Sequence, residues 1–422
     1  MDDQSPKPTI VVLGAGFGGL ETAFYLRKRL GKRVDLIVVS NSDQFLFKPN
    51  TIYIPFGKSA EHLSFPLAPV FDKRHIKFVK GSAEEIDPAT STVKTSVGPV
   101  AYDSLVVATG AAWRPSEIPG LEEHADLIST PAGMEKLGAS LATLVAKAKA
   151  GPASRVLFVV PPNNKCSGPL YEMVLMLDTW LRRQGVRNHI GIEYATYEAS
   201  YIQAFGPRLH DVVSHEFKTR GIMGRTLSRL RAVEPGRASF ADGSSESFDL
   251  LVSFPPYIAA QRYATLPSDD RGFLRTDPRT RQVEGQHGIY AVGDTGDFPV
   301  KQAFLALLQA DAVGEHISER ILSEDPVAAF DPVSMCIMEQ FDKATFAQVP
   351  LRTTGDPNAP VAVREDAPDL YRVGSGSIWR MGKKMLGVAI PERFQAGRPF
   401  HAGASWAVME AGLKMMKAAF AD

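Results

Sequence analysis

VVLGAGFGGL, residues 11–20, decides the fold. It fits G-x-G-x-x-G with Gly14, Gly16 and Gly19. The apolar run Thr9 to Leu13 before it reads as a strand. A helical pattern follows from Leu20 to Leu30, and Val34 to Val39 reads as a second strand. The glycine motif alone is common; between a strand and a helix, with a second strand after it, it marks a dinucleotide-binding unit. Gly14 permits the tight turn, Gly16 lets the backbone approach a pyrophosphate, and Gly19 lets the helix pack on the strand. The helix N-terminus then faces the phosphates. An acidic residue usually ends the second strand and holds the ribose hydroxyls. Here Ser40 and Asn41 stand there and offer hydrogen bonds without charge.

Outward from that unit, Ser104 to Val107 reads as a further strand. A new unit opens at Arg155 with VLFVV, a Pro-rich turn and a helix from about Leu170 to Arg183; the apolar run Leu250 to Phe254 ends it. GIYAVGD, Gly288 to Asp294, is a strand leading into a long helix from about Gln302. Strands alternating with helices predict an α/β protein with two Rossmann-like dinucleotide-binding domains, parallel sheets and helices on both faces. The first domain is expected over residues 1–112 and again over 256–330, the second over 113–255. Residues 331–422 form a membrane- or partner-facing C-terminal segment with a sheet edge and two basic amphipathic stretches.

The composition fits an enzyme of this class. The chain has 422 residues, enough for two or three domains. Its 47 basic and 47 acidic residues balance, so no overall field selects nucleic acid, and no nucleic-acid partner is expected. No apolar run reaches the roughly 18 residues of a spanning helix. The N-terminal MDDQSPKP is short, acidic and Pro-containing and does not read as a secretory signal. The two cysteines make no disulfide scaffold, and no metal is expected.

Two later segments argue for FAD. LVVATGAAWRP puts Thr109 and Gly110 at a strand end, and GIYAVGD puts Gly293 and Asp294 at another. With the glycine fingerprint they resemble the three-part signature of the two-dinucleotide-fold flavoproteins, in which the Asp contacts the ribityl chain and pyrophosphate region of FAD. In pyridine-nucleotide members the second fold carries its own glycine turn. Here that turn is VVPPNNKCSGPLYE. Pro161 and Pro162 lack N–H groups, and Lys165 and Cys166 replace glycines, so the cradle for a second dinucleotide is poor. The turn offers a thiol instead. Pro169 suits the first helical position, which sets Cys166 just before the helix start. The helix N-terminus and Lys165 are expected to favour its thiolate, and Glu172 is within reach for proton transfer. The competing reading is a small buried Cys at a tight turn. Cys336, in DPVSMCIMEQFDKATF, is the other cysteine.

These residues resemble the sulfide:quinone oxidoreductase and flavocytochrome c sulfide dehydrogenase family over nearly the whole chain. The matching features are the fingerprint with Ser40 in place of an acid, SAEEID at Ser82 to Asp87, the C-S-G-P-L-Y-E turn, and a second Cys followed by an apolar and aromatic stretch. The resemblance implies that Cys166 and Cys336 face one side of the flavin and carry a disulfide or bridging sulfur chain. Sulfide attacks it, two electrons pass to FAD, and quinone collects them on the opposite face. It implies a catalytic role for Glu172 and a place near the flavin ring for Lys301. The FAD contacts it implies come from Gly14, Gly16, Gly18, Gly19, Ser40 and Asn41, from Pro49 and Ala83, and from Thr109, Gly110, Gly293 and Asp294. Two family positions differ. The third cysteine of C-T-x-x-H reads Ser129-Thr130-Pro131-Ala132-Gly133, and a family His is replaced near Ala204. FAD is therefore expected to be bound non-covalently.

The C-terminal segment carries an excess of Lys and Arg. Ile378, Met381, Met385 and Leu386 share one helical face, with Arg380, Lys383 and Lys384 off it. Trp406, Met409, Leu413, Met416 and Phe420 form a second stripe beside Lys414 and Lys417. Such segments read as anchors on anionic lipid, and the alternative is packing on the protein itself or on a second copy of the chain. The expected activity is FAD-dependent oxidation of sulfide, or of another small sulfur donor, with quinone as acceptor, at a peripheral site on the cytoplasmic face of a membrane. Two alternatives are a single-subunit NADH:quinone oxidoreductase and a flavoprotein subunit docking on a cytochrome.

Overall fold

A computed structural model describes residues 6–421. Most of the N-terminal stretch read as no secretory signal lies outside the described residues. The first unit runs β1 (Thr9–Leu13), α1 (Phe17–Leu30), β2 (Asp35–Ser40), β3 (Lys77–Lys80) and β4 (Ser104–Val107). These strands lie parallel in the order β4-β1-β2-β3, with Thr9 opposite Asp35 and Ile10 opposite Ser104. The second unit runs β5 (Asp126–Leu127), α2 (Pro131–Lys149), β6 (Ser154–Val160), α3 (Gly168–Arg183), β7 (Ile190–Thr196), α4 (Gly206–Arg220), β8 (Ile222–Arg225) and β9 (Leu250–Ser253). Its sheet is also parallel, in the order β5-β9-β6-β7-β8. The chain then returns, and β10 (Ile289–Ala291) completes the first sheet beside β4. Helix α5 (Ala303–Ile321) packs on α1 so closely that a Cβ on Gly314 would lie 2.8 Å from the Tyr25 ring. The α/β class and the two parallel sheets are as the sequence implies.

The covering of the sheets corrects one expectation. Helices do not cover both faces. Period-two alternation sends Ile10 and Val12 of β1 into a core with Leu20 and Phe24 of α1 and Val313 and Ile317 of α5. Val11 and Leu13 point the other way, onto Ile86 and Val93 of an antiparallel meander spanning residues 83–101. The second unit repeats the plan: Val156 and Phe158 of β6 meet Leu141 of α2 and Val174 of α3, while Leu157 and Val159 meet Ala238 and Phe240 of a second meander, residues 230–247. Crossovers that need a helix in a uniform parallel sheet are here made partly by short strands with tight turns, such as the one where Asp87 accepts from the amides of Ala89 and Thr90.

The chain passes from the first unit to the second at Ala111–Trp113 and back at Tyr257–Ala259, and these two segments pair antiparallel. After α5 comes an antiparallel sheet of β11 (Val333–Glu339), β12 (Ala344–Thr353), β13 (Val361–Val363) and β14 (Arg372–Gly376), larger than the sheet edge expected. Helices α6 (Ser377–Gln395) and α7 (Ala404–Phe420) follow. The turn between them is pinned to the first unit: Glu21 accepts from the amides of Phe400 and His401 at 2.6 and 3.1 Å, and His401 Nδ1 lies 2.5 Å from Asp311 Oδ2.

The two predicted apolar stripes divide differently from expectation. Ile378, Leu386 and Met416 pack inward on Trp379 and Phe346, and Trp406 and Met409 pack on the first unit. The exposed apolar side chains are Met381 and Met385 of the first stripe with Val388 on α6, and Phe420 of the second with Val408 and Met415 on α7. Among the described residues no helix is long and apolar enough to cross a membrane.

Candidate active site

The glycine turn shows why each glycine is needed. Gly14 adopts φ +100°, and a Cβ there would lie 2.3 Å from the Ala108 carbonyl oxygen. A Cβ on Gly19 would lie 2.0 Å from the Gly14 oxygen, so this glycine packs helix on strand. Gly16 is different: a Cβ there would meet no heavy atom within 4 Å. It faces a cavity of about 950 Å³. That cavity is lined by Gly14, Gly16 and Gly18, by Ser40 and Asn41 at the end of β2, and by Pro49, Ala83, Thr109 and Gly110. Gly293, Asp294 and Lys301 close the far wall. Gly19, expected among the ligand contacts, is not in the lining; its place is the helix–strand contact.

The residues present fit FAD. The open approach at Gly16 and the uncapped start of α1 suit a pyrophosphate. Asp294 lies on the cavity wall with no protein donor among the described residues. Burial raises its carboxyl above the ordinary range, opposed by Lys301 and Lys48. Its free oxygens suit the hydroxyls of a ribityl chain. Lys301 is buried with Nζ donating to the Gly296 carbonyl and lying 3.9 Å from the centre of the Phe273 ring. Burial lowers its pKa to about 7, with Asp294 opposing.

The second unit's turn is organised by a residue the sequence reading passed over. Asn164 Oδ1 accepts from the Cys166 amide at 2.9 Å, and its Nδ2 donates to the Phe254 carbonyl at 2.9 Å. The amide that a phosphate would need is therefore already bonded. Cys166 stands two residues before the first residue of α3, with Pro169 in the first turn. Cys336 arrives from β11, opposite Ala347. Both cysteines are free and line the same cavity wall. A Cβ on Gly168 would lie 3.9 Å from Cys336 Sγ.

The expected low-pKa thiolate at Cys166 is corrected. Burial pushes this thiol well up, and Cys336, Asp294, Glu198 and Glu172 push it further. Burial of the thiol, reinforced by the acidic groups around it, outweighs the helix N-terminus. The Lys165 side chain lies in the field of Arg271, Asp269 and Asp270, and burial lowers its pKa. Cys336 is pushed up to about 12 by burial and Glu172, and Lys383 pulls it down.

Glu172 is buried on α3. Its Oε1 accepts the Glu339 amide at 2.5 Å and the ammonium of Lys383. Burial raises its pKa, and Lys383 opposes the rise, so the carboxyl holds a proton more readily than an exposed one. Lys383 is the second residue that sequence reasoning misplaced. It was read as a basic group beside a lipid-facing stripe. It points inward, also donating to the Ile337 carbonyl at 2.9 Å. Arg380 likewise pairs with buried Glu339 at 2.7 Å, and Tyr53 donates to the same Glu339 carboxylate at 2.9 Å. Nothing in the local sequence marks Glu339 or Tyr53. The cavity lining also includes the apolar side chains of Phe304, Leu386, Ile390 and Phe400, with Gly387 among them.

Comparison with known proteins agrees with this geometry. Residues 8–149 match the family described as pyridine nucleotide-disulphide oxidoreductase. The sulfide-quinone reductase of Aquifex aeolicus is 31% identical over 258 residues, 59% of this chain; the match spans 57% of that relative's length. The mitochondrial sulfide:quinone oxidoreductase of Dictyostelium discoideum is 23% identical over 71% of this chain and 67% of its own. A type II NADH:quinone oxidoreductase of Staphylococcus aureus is also 23% identical, over 78% of this chain and 86% of its own. In fold, the solved sulfide:quinone oxidoreductase of Aquifex aeolicus covers 96% of both chains at a TM-score of 0.82 and 23% identity. The chain therefore shares the two-dinucleotide-domain fold of that enzyme and resembles sulfide:quinone oxidoreductases in sequence.

Proposed function

We propose that the protein is an FAD-dependent oxidoreductase that oxidises sulfide, or another small sulfur donor, at Cys166 and Cys336 and passes the electrons to quinone. The observation that carries this reading is the meeting of two cysteines, distant in sequence, on one wall of the cavity that also holds the glycine turn and Asp294. Gly16, Asp294 and their neighbours would hold FAD, and when bound it supplies a two-electron acceptor. Ser129 on the cavity wall offers no thiol, so the flavin is held without a covalent bond.

Hydrosulfide attacks the oxidised cysteine pair. A sulfur–sulfur bond forms to one cysteine, the bond between the two breaks, and the other leaves as a thiolate. Cys336 suits the leaving role because Lys383 stabilises its anion. The buried Glu172 carboxyl, hydrogen-bonded to Lys383 beside it, exchanges the proton. The apolar lining at Phe304, Leu386 and Ile390 suits a quinone ring. The outer face of α6 exposes Met381, Met385 and Val388, which suits attachment to the surface of a membrane. We place the protein there peripherally, on the cytoplasmic face.

The relative that uses NADH gives the second reading. It is opposed by the Pro161–Pro162 turn and by the bond that occupies the Cys166 amide. Anaerobic titration of the purified protein decides between them: sulfide should bleach the flavin rapidly and NADH should not. Fast bleaching by NADH with none by sulfide overturns the proposal.

A further inference from the structure

The cavity does not end at the cysteines. From Ser167 and Ile202 its wall continues over Tyr197 and Leu227 to Arg229 and Asn358, and the last three side chains are exposed. This arm lies beyond the carboxyl ends of β6 and β7, where a doubly wound sheet leaves its ligand crevice. The turn beside it is a poor nucleotide cradle, because Pro161 and Pro162 lack N–H groups and the Cys166 amide is bonded to Asn164. The one buried carboxylate of the crevice is also fully engaged. Glu198 Oε1 accepts from Ser167 Oγ and the Gln203 amide at 3.0 and 3.1 Å, and Oε2 accepts from Tyr171 and Thr196 at 2.9 and 2.8 Å.

Two features mark the ends of the arm. At the mouth, Arg229 donates to Asn358 Oδ1 at 3.1 Å, and Gln203 donates to the Asn358 carbonyl at 3.2 Å, so the loop between β12 and β13 lies across the opening. At the inner end, Ile202 is held at φ 47°, ψ 49°. A β-branched residue rarely adopts this left-handed conformation, and such outliers gather where a site needs them. Ile202 is 1% exposed, and its Cδ1 and Cys336 Sγ each lie 3.9 Å from the position a Cβ on Gly168 would take. It therefore packs beside Cys336 at the inner end of the arm.

We propose that this arm is the path and resting site of small anionic sulfur species, with Ile202 as its inner gate and Arg229 as its cationic mouth. The assignment of sulfur rests on the function proposed above. Hydrosulfide and short polysulfides are anions at neutral pH, and a polysulfide pairs a polarisable apolar chain with charged ends. Ile202 and Leu227 suit the chain, and Arg229 suits an end. The arm leaves the apolar lining by α6 to quinone, so the two substrates do not share a path.

Labelling kinetics test this on the FAD-loaded enzyme without sulfide or quinone turnover. The two cysteines are the only thiols in the chain. Their reaction is followed with a dianionic aromatic disulfide, dithiobis-nitrobenzoate, and with the neutral dithiodipyridine. Arg229→Gln should slow the dianion about tenfold at low salt and leave the neutral reagent unchanged, because a focused charge acts on the encounter rate of ions. The difference should shrink at high salt. Ile202→Gly relieves the left-handed strain and opens the inner end, and it should speed both reagents in protein whose thermal unfolding shows it to be folded. Equal effects of Arg229→Gln on both reagents, no acceleration in Ile202→Gly, or protection of the cysteines by NADH overturns the proposal. If the labelling behaves as expected while sulfide fails to reduce the flavin, the arm stands and the sulfide:quinone reading falls.

Discussion

Lys383, on a helix near the C-terminus, donates to the carboxylate of Glu172, on the helix that follows Cys166. The same ammonium donates to the Ile337 carbonyl, next to Cys336 in β11. One side chain thus joins the helix α6 to both arms of the redox site. The outer face of α6 carries exposed methionines, and its inner face lines the cavity through Leu386, Gly387 and Ile390. On the proposed function, a helix so placed would bring a lipid-soluble oxidant to the site without a separate channel.

The first prediction follows from that ion pair. Glu172 and Lys383 are both largely buried, at 8% and 12% side-chain exposure. Removing one partner leaves the other uncompensated, at a cost of about 3 kcal/mol. Lys383→Met should lower unfolding free energy by about that amount in urea, and Glu172→Gln with Lys383→Met should recover most of the loss. Additive losses in the double variant would show that the pair is not coupled.

The second prediction concerns surface attachment. Lys383 and Lys417 are turned inward, Lys417 donating to Gln348 at 2.8 Å, whereas Lys414 is 67% exposed and Lys384 is exposed. Only the last two can act on a lipid surface, at about 1 kcal/mol each. Lys384→Gln with Lys414→Gln should reduce sedimentation with anionic vesicles, and Met385→Ser with Met415→Ser should reduce it further. Binding that survives all four changes assigns these faces to a protein contact.

Much of the fold was legible because local chemistry and tertiary context agree. Thr9 to Leu13 and Ser104 to Val107 are continuous apolar runs because both faces of the first sheet are covered. The glycine turn was legible because Gly14 and Gly19 meet backbone at distances no side chain allows. The meanders were not legible: strands such as Thr92–Thr95 bury Val93 and Thr95 only, a signal too short to separate from loop. The sequence singles out Cys166 and Glu172, and both line the cavity; the ionisation of the thiol was not legible, since its burial, and Asp294, Glu198 and Cys336 beside it, depend on distant segments. Lys383 was misplaced for the same reason. Helical periodicity locates a face, and it does not say which basic residue finds a buried carboxylate across the molecule.

The third prediction uses Lys301. Its pKa in the folded protein is about 7, whereas an unfolded lysine titrates near 10.4. Between these values the unfolded chain binds more protons, so stability from this group rises with pH across the window; the contribution is complete above the unfolded pKa and lost as pH falls through about 7. Lys301→Met removes the charge. In the protein stripped of flavin, its unfolding free energy relative to wild type should be most favourable at pH 6 and should decline toward pH 9. A difference independent of pH would mean that Lys301 keeps its proton throughout.

The fourth prediction treats Cys166 and Cys336 as one unit. They come from a helix start and a sheet strand, and each bears on the same small volume beside Gly168 and Ile202. Burial raises both thiols, so neither is a ready nucleophile alone; on the proposed function the oxidised pair reacts, each cysteine supplying the other's leaving group. Cys166→Ser and Cys336→Ser should each abolish sulfide-dependent quinone reduction, and the double variant should be no worse than either. All three should retain FAD, because none touches Gly14, Gly16 or Asp294, and acid precipitation should release that flavin into the supernatant. The single variants should differ in one respect. Lys383 and Glu172 act on the Cys336 thiol, so in Cys166→Ser the remaining thiol should alkylate faster with rising pH from a lower threshold than in Cys336→Ser. Full activity in either single variant would return the cysteines to the status of ordinary buried thiols, and the electron donor would have to be sought elsewhere in the cavity.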